Sequence, residues 1–221
     1  MEEIAEVERT ASGEYRAPQA ELIITAPAVL GRSHVLPIVA EFQRTFPDIR
    51  MRLQLTDRYV NLVEEHVDLA VRIGELPDSS MIVTRLGLIR RAAYLKARGV
   101  PKEPADLASH DCVTYDPATP WEFRRNGATQ TIDVPSRLAV NLGEVAAAAA
   151  VAGAGISRVL SYLIEDLLKS RSLVALLDAY EPSPMPVSII YPGQRQVPLK
   201  LRAFLDFAVP RLRKRFGYPS T

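Results

Sequence analysis

"ELIITAPAVLGRSHVLPIVAEFQRTFPDIRMRLQLTDRYVNLVEEHVDLAVRIG", residues 21–74, decides the fold. It opens with "ELIITAP", a short β-rich run closed by Pro27. From Gly31 onward Val35, Val39, Phe42 and Phe46 recur at i, i+4, i+7 and i+11, one face of an amphipathic helix that Pro47 then breaks. Next, Ile49, Met51, Leu53 and Leu55 alternate with Arg50, Arg52, Gln54 and Thr56, the pattern of a half-exposed strand at a sheet edge. A short helix carrying Val60 and Val63 leads to Leu69, Val71 and Ile73, a buried strand that stops at Gly74. Read in order this is β-α-β-α-β with short connections. It predicts an α/β fold with a parallel sheet and crossover helices.

The last of these strands delivers Arg72 and then Gly74 to its own carboxyl end, followed by the polar turn residues Glu75, Pro77, Asp78, Ser79 and Ser80. In doubly wound sheets ligands sit beyond the carboxyl ends of the parallel strands. Arg72 or Ile73 is therefore expected beside a ligand, with Gly74 letting the backbone turn; the alternative is that Arg72 pairs with a carboxylate such as Asp57. The loop before the first helix, with Ala28, Val29, Leu30, Gly31 and Arg32, offers free N–H groups and a helix dipole to an anion. Asn141, Leu142 and Gly143, ahead of the alanine-rich helix, repeat that arrangement. At both ends the competing reading is satisfaction by water and capping side chains.

Beyond residue 80 the texture changes. "PADLASH" reads as a short helix opened by Pro104, "CVTY" as a strand, and "WEFRRNGATQTIDV" as a hairpin whose Asn126-Gly127 pair suits a type I′ turn. "RLAVNLGEVAAAAAVAGAGIS" is a second strand-helix unit, its helix starting near Gly143 and ending at Gly153. The tail adds one buried strand and a terminal helix with Leu201, Leu205 and Leu212 on a common face, which Pro210 is expected to kink or interrupt.

With 27 Lys+Arg against 26 Asp+Glu, the chain lacks the net field of a nucleic-acid binder. One cysteine, Cys112, excludes an internal disulfide, and His34, His66 and His110 show no metal-ligand spacing. His110 and Cys112 lie two apart, but the cysteine suits a core position better than that of a nucleophile. The acidic start "MEEIAEVERT" is not a secretory signal, and no apolar run reaches membrane-spanning length, so a cytoplasmic setting is expected. Ile4 and Val7 sit one helical turn apart, as at the tail of a helix, and "TASGEYRAPQ" reads as a linker.

The ordered set "RAPQAELIITAP", "GRSHVLPIVAEFQRTFPDIRMRLQLTDRYVNLVEEHVDLAVRIGELPDSSMIVTRLG", "PADLASHDCVTY", "WEFRRNG", "RLAVNLGEVAAAAAVAGAGI" and "PLKLRAFLDF" resembles the effector-binding domain of LysR-type transcriptional regulators. That resemblance implies a two-lobed fold like the type 2 periplasmic binding proteins, each lobe a mixed, mainly parallel sheet flanked by helices. Lobe I would be 21–88 plus 188–221, lobe II 89–187, and 1–20 a linker-helix remnant and linker. It also implies an effector in the interlobe cleft, a homodimer (a tetramer in the full-length protein), and promoter DNA reached only through a winged helix-turn-helix absent from this sequence. Against the family's pattern, the segment near residues 90–93 is abbreviated, and Val29 stands where a hydroxyl residue is usual. "SRVLSY" replaces an apolar run and a proline, placing Arg158 just after the second lobe crossing, near the cleft or turned outward to water.

The expected function is small-molecule sensing without catalysis, cofactor or metal. A solute-binding protein for transport would share the fold but should carry a signal sequence or lipoprotein cysteine. An enzyme would need a nucleophile-base set or phosphate loop that the sequence does not display. The effector is expected to be anionic, with an apolar body against Val29 and its charged end toward Arg158, a planar fork suited to a carboxylate.

Overall fold

The pairing of "ELIITA" with "RMRLQL" is the first step of the sheet in the computed structural model, which describes residues 21–74, 80–89, 91–95 (backbone only), 100–115, 120–193 and 196–217. The linker expected over 1–20 and the polar turn at 75–79 lie outside them. Two compact units are present, one from Met1–Arg72, Leu76–Gly87 and Ser188–Thr221, the other from Ile73–Glu75 and Leu88–Val187.

Unit 1 is built on β1 (Glu21–Ala26), β2 (Arg50–Leu55) and β3 (Leu69–Ile73). β1 runs parallel to both neighbours, Glu21 opposite Arg50 and Ile24 opposite Leu69. With β4 (Met81–Ile89) and β12 (Met185–Pro192) the sheet order is β2-β1-β3-β12-β4, which leaves β2 at an edge as its alternation requires. The chain leaves unit 1 within β4, between Gly87 and Leu88, and returns within β12, between Val187 and Ser188.

The first helix starts three residues earlier than periodicity indicated. It comprises α1 (Ala28–Leu30), a π-helical stretch Gly31–Val35, and α2 (Leu36–Thr45). The Leu36 N–H bonds back five residues to the Gly31 carbonyl. The helix ends before Pro47, and its buried face carries Val35, Val39 and Phe42. Phe42 stacks on Phe46 at 4.6 Å and meets Phe204 and Phe207 edge-on at 5.1 and 5.4 Å, joining α2 to α5 (Leu199–Arg215).

The helix expected around Val60 and Val63 does not form. Residues 62–66 make one turn. The Asn61 Oδ1 caps the N–H groups of Val63 and Glu64, and His66 takes φ 51° while Val67 N–H reaches the Leu62 carbonyl. That left-handed residue closes the turn before a second can start. Pro210 does not interrupt α5, which runs unbroken to Arg215.

Unit 2 holds β5 (Arg91–Leu95), β6 (Cys112–Tyr115), β9 (Ser136–Val140), β10 (Ile156–Leu160) and β11 (Val174–Leu176) in the order β11-β5-β10-β6-β9. Pairs β6–β9 and β6–β10 are parallel; β5 is antiparallel to β10 and β11. At the abbreviated segment a single residue, outside those described, separates β4 from β5. α3 (Gly143–Val151) lays Ala146, Ala147 and Ala150 against Val113 and Val159, the small side chains allowing close approach. On the opposite side Leu107, Cys112, Trp121, Phe123, Ile156 and Leu176 form a second cluster. The hairpin of β7 (Trp121–Arg125) and β8 (Ala128–Ile132) turns at Asn126 and Gly127 with φ 50° and 82°, both positive as a type I′ turn demands. A two-turn 3₁₀ helix, Pro104–Ser109, is closed at its start by Glu103 and Asp106, the Glu103 side chain accepting from the Asp106 N–H and the Asp106 side chain from the Glu103 N–H.

Candidate functional site

β1 and β3 end side by side, and their carboxyl ends place Thr25 and Arg72 together across 47 residues of sequence. Arg72 is 8% exposed. Its Nη2 donates to the Thr25 Oγ1 and its Nη1 to the Val71 carbonyl, both at a long 3.4 Å. Burial lowers its pKa, opposed by the nearby Tyr59 and Asp57. Among the described residues no carboxylate is in ion-pair contact with it. The expected alternative, a pair with Asp57, does not form: Asp57 instead accepts the Ala28 N–H at 3.0 Å and acts on Arg72 only through space. Thr25, fully buried, was visible in sequence as the one hydroxyl inside an apolar strand.

The loop expected at Ala28, Val29, Leu30, Gly31 and Arg32 does not form; these residues are already helix. Leu30 and Gly31 are buried and Arg32 is exposed. Gly31 is required sterically, since a Cβ there would run into Leu55 and the Ala26 Cβ. The Asp57 carboxylate occupies part of the helix N-terminus, so the capping reading holds at Ala28.

Ile73 and Gly74 group with unit 2. Gly74 has φ 109° and gives its N–H to the Pro186 carbonyl at 2.9 Å, so it does let the backbone turn where β3 stops. Asn141 is exposed, Leu142 is the extended residue ahead of α3, and Gly143 begins the helix close to Leu163. The N-cap residue itself, Leu142, makes no side-chain capping bond.

For Arg158 the expected position just after the second crossing and the alternative of a side chain in water are both corrected. It does not follow the second crossing, which is β12, but lies mid-strand in β10, within unit 2. Nor does it face water. It is 9% exposed with its guanidinium 5.3 Å from the centre of the Phe123 ring, a cation–π contact no local sequence pattern announces. Cys112 is buried, its thiol directed to the His110 carbonyl and its pKa pushed up to about 11 by burial and Asp111. That is an inert core cysteine. Among the described residues no cluster of His, Cys, Asp or Glu has metal-binding form, and no helix is long and apolar enough to cross a membrane.

Comparison with known proteins agrees with this architecture. Residues 16–213 match the LysR substrate binding domain. The transcriptional regulator CrgA of Neisseria meningitidis serogroup B is 27% identical over 96% of this chain and 74% of its own length. A transcriptional repressor of Pseudomonas aeruginosa is 27% identical over 95% and 69%. An uncharacterized transcriptional regulator of Haemophilus influenzae is 28% identical over 83% of this chain and 66% of its own length, so the chain spans about two thirds of such relatives. The CrgA regulatory domain structure superposes with a TM-score of 0.76 at 26% identity, covering 88% of this chain and 100% of that one. Full-length AphB of Vibrio cholerae, at 23% identity, TM-score 0.79, and coverage of 95% and 74%, shares the fold. A two-unit fold like the periplasmic binding proteins, a family match over nearly the whole chain, and relatives that are regulators agree: the chain belongs to the LysR substrate-binding domain family, the effector-binding domain of LysR-type transcriptional regulators.

Proposed function

We propose that this domain senses a small anionic effector, bound in the cleft between its two lobes, and passes that binding to the DNA-reading module of a LysR-type regulator. We assign lobe I to 21–88 with 188–221 and lobe II to 89–187. No reaction is involved.

Arg72 carries this reading. A guanidinium buried this deeply loses hydration, and two long hydrogen bonds to neutral acceptors offset little of that loss. An anion at the carboxyl ends of β1 and β3 supplies the missing compensation, in the position where α/β sheets take ligands. Thr25 sets the fork, and Asp57 tempers the cation. The effector's apolar body lies against Val29. Ile73 and Gly74, with Asn141, Leu142 and Gly143, complete the walls, and the stacked Arg158 adds a second cation from lobe II.

Mass spectrometry of small molecules retained by the purified protein identifies the effector, and calorimetry then tests the seat. Arg72→Met should weaken binding by about ten- to a hundredfold, the equivalent of a lost charge-assisted contact of about 1.5–3 kcal/mol. Arg72→Lys should recover part of it. Unchanged affinity in a folded Arg72→Met protein defeats this seat, and a loss confined to Arg158→Ala moves the anion to lobe II.

A further inference from the structure

We infer that unit 2 carries a second, separate small-molecule site, a crevice between the β7–β8 hairpin and the Pro104–Ser109 turn that takes a small monocarboxylate with an apolar body. The hairpin register sets Trp121 opposite Ile132, Phe123 opposite Gln130 and Arg125 opposite Ala128, all on one face. That face begins as core: Trp121 and Phe123 are 5% and 3% exposed, with Ile132 packed against the same cluster. Farther along, Gln130 and Arg125 occupy the same face and are exposed, so the face passes there from core to solvent and sets polar groups beside the buried Phe123.

At that point the face opens into a crevice of about 260 Å³ whose walls include Pro104, Ala105, Phe123, Arg125, Gln130 and Tyr180. The volume lies just under the range of about 300–1,000 Å³ for small-molecule sites, which suits one ring with a short acid arm and excludes a nucleotide. Arg125 is already fixed. Its Nη1 donates to the Tyr180 hydroxyl at 2.5 Å, and its guanidinium lies 4.9 Å from the centre of the Tyr180 ring. Among the described residues it has no carboxylate partner, so its remaining donors point to an anion. Glu103, on the crevice wall, spends its side chain on the 3₁₀ turn and disfavours a second negative charge, hence a monocarboxylate. Phe123, Pro104 and Ala105 accept the apolar part.

Titration with phenylacetate, followed by amide NMR, tests this. The expected result is shifts at Ala105, Phe123, Arg125, Gln130 and Tyr180. Phenylacetamide should bind at least about tenfold more weakly, as should phenylacetate to Arg125→Met. Arg72→Met should leave the titration unchanged, which separates this site from the effector seat. Amides that stay still up to about 10 mM phenylacetate, where a millimolar site would be nearly full, overturn the proposal. So do equal shifts in a folded Arg125→Met protein, or shifts confined to residues around Thr25 and Arg72.

Discussion

Cys112 shows how a single side chain ties stability to pH. Its thiol is buried beside Ile156 and Phe123 in one cluster, and its pKa stands at about 11, against about 8.5 for a free thiol. In the unfolded chain the thiol loses its proton from about pH 8.5 upward, while the folded protein keeps it. The unfolded state then binds fewer protons, so the contribution is complete below about pH 8.5 and is lost as pH rises toward 11. The urea midpoint should fall between pH 8 and 10 more steeply in the native protein than in Cys112→Ala, about the span between those two pKa values. A thiol reagent should label Cys112 only after denaturation. Rapid labelling of the folded protein at pH 8 would contradict its burial. The same scale explains what Arg72 and Arg158 hide from a reader of sequence. Arg72 was visible as a cation at a strand end, but its partner Thr25 is brought to it by the parallel pairing of β1 and β3. Arg158 finds Phe123 only because the hairpin docks over β10, and no residue near it in sequence marks that contact.

At the scale of elements, a polar junction ties the start of α5 to the sheet. Lys200, in its first turn, meets Asp68 at 2.8 Å and gives a second hydrogen bond to the Glu21 carbonyl at 2.7 Å. The same carboxylate accepts the Ile23 N–H at 2.7 Å. A lysine opposes the positive end of a helix dipole, and Asp68 offsets that while holding the start of β1. Both side chains are about one-fifth exposed, so solvent screens the pair only in part. Asp68→Ala should lower stability by about 1–3 kcal/mol without changing the urea m-value, and Asp68→Asn by less because an acceptor remains for Ile23. Equal stability of all three proteins would show the junction to be ornamental. Elements of this kind were legible where the signal is local. Alternation marked β2 as an edge, and Asn126-Gly127 marked its hairpin. The π-helical stretch and the single turn at 62–66 were not legible. The first lies where Gly31 is wedged beneath Leu55, and the second on His66 adopting a left-handed backbone, a choice settled by its surroundings.

For the whole molecule the open question is what covers the edge of unit 1. Among the described residues β2 has a neighbour on one side only, and its outer row of backbone groups is a template for another chain. Arg50 and Arg52 alternate along it, and Arg52 is occupied by Glu21 at 3.1 Å, so the edge carries charge without being closed to pairing. Leu55 at its end is 42% exposed, and Leu36, at the start of α2 on the same unit, is 46% exposed. With the unpaired edge, these exposed leucines are where we expect an association surface. Because one chain supplies both the edge and the helix, the partner we expect there is a second copy related by a two-fold axis, which leaves no other open edge. A stable contact of that kind must bury about 1,200–2,000 Å² in total, which neither leucine achieves alone and the strand with its helix can. We therefore expect light scattering at tens of micromolar, about the range in which even a weak dimer persists, to give twice the mass of the chain. Leu36→Asp combined with Leu55→Asp should return it to one chain while leaving circular dichroism unchanged. A monomeric mass for the unaltered protein would leave this edge as nothing more than a charged, solvated strand.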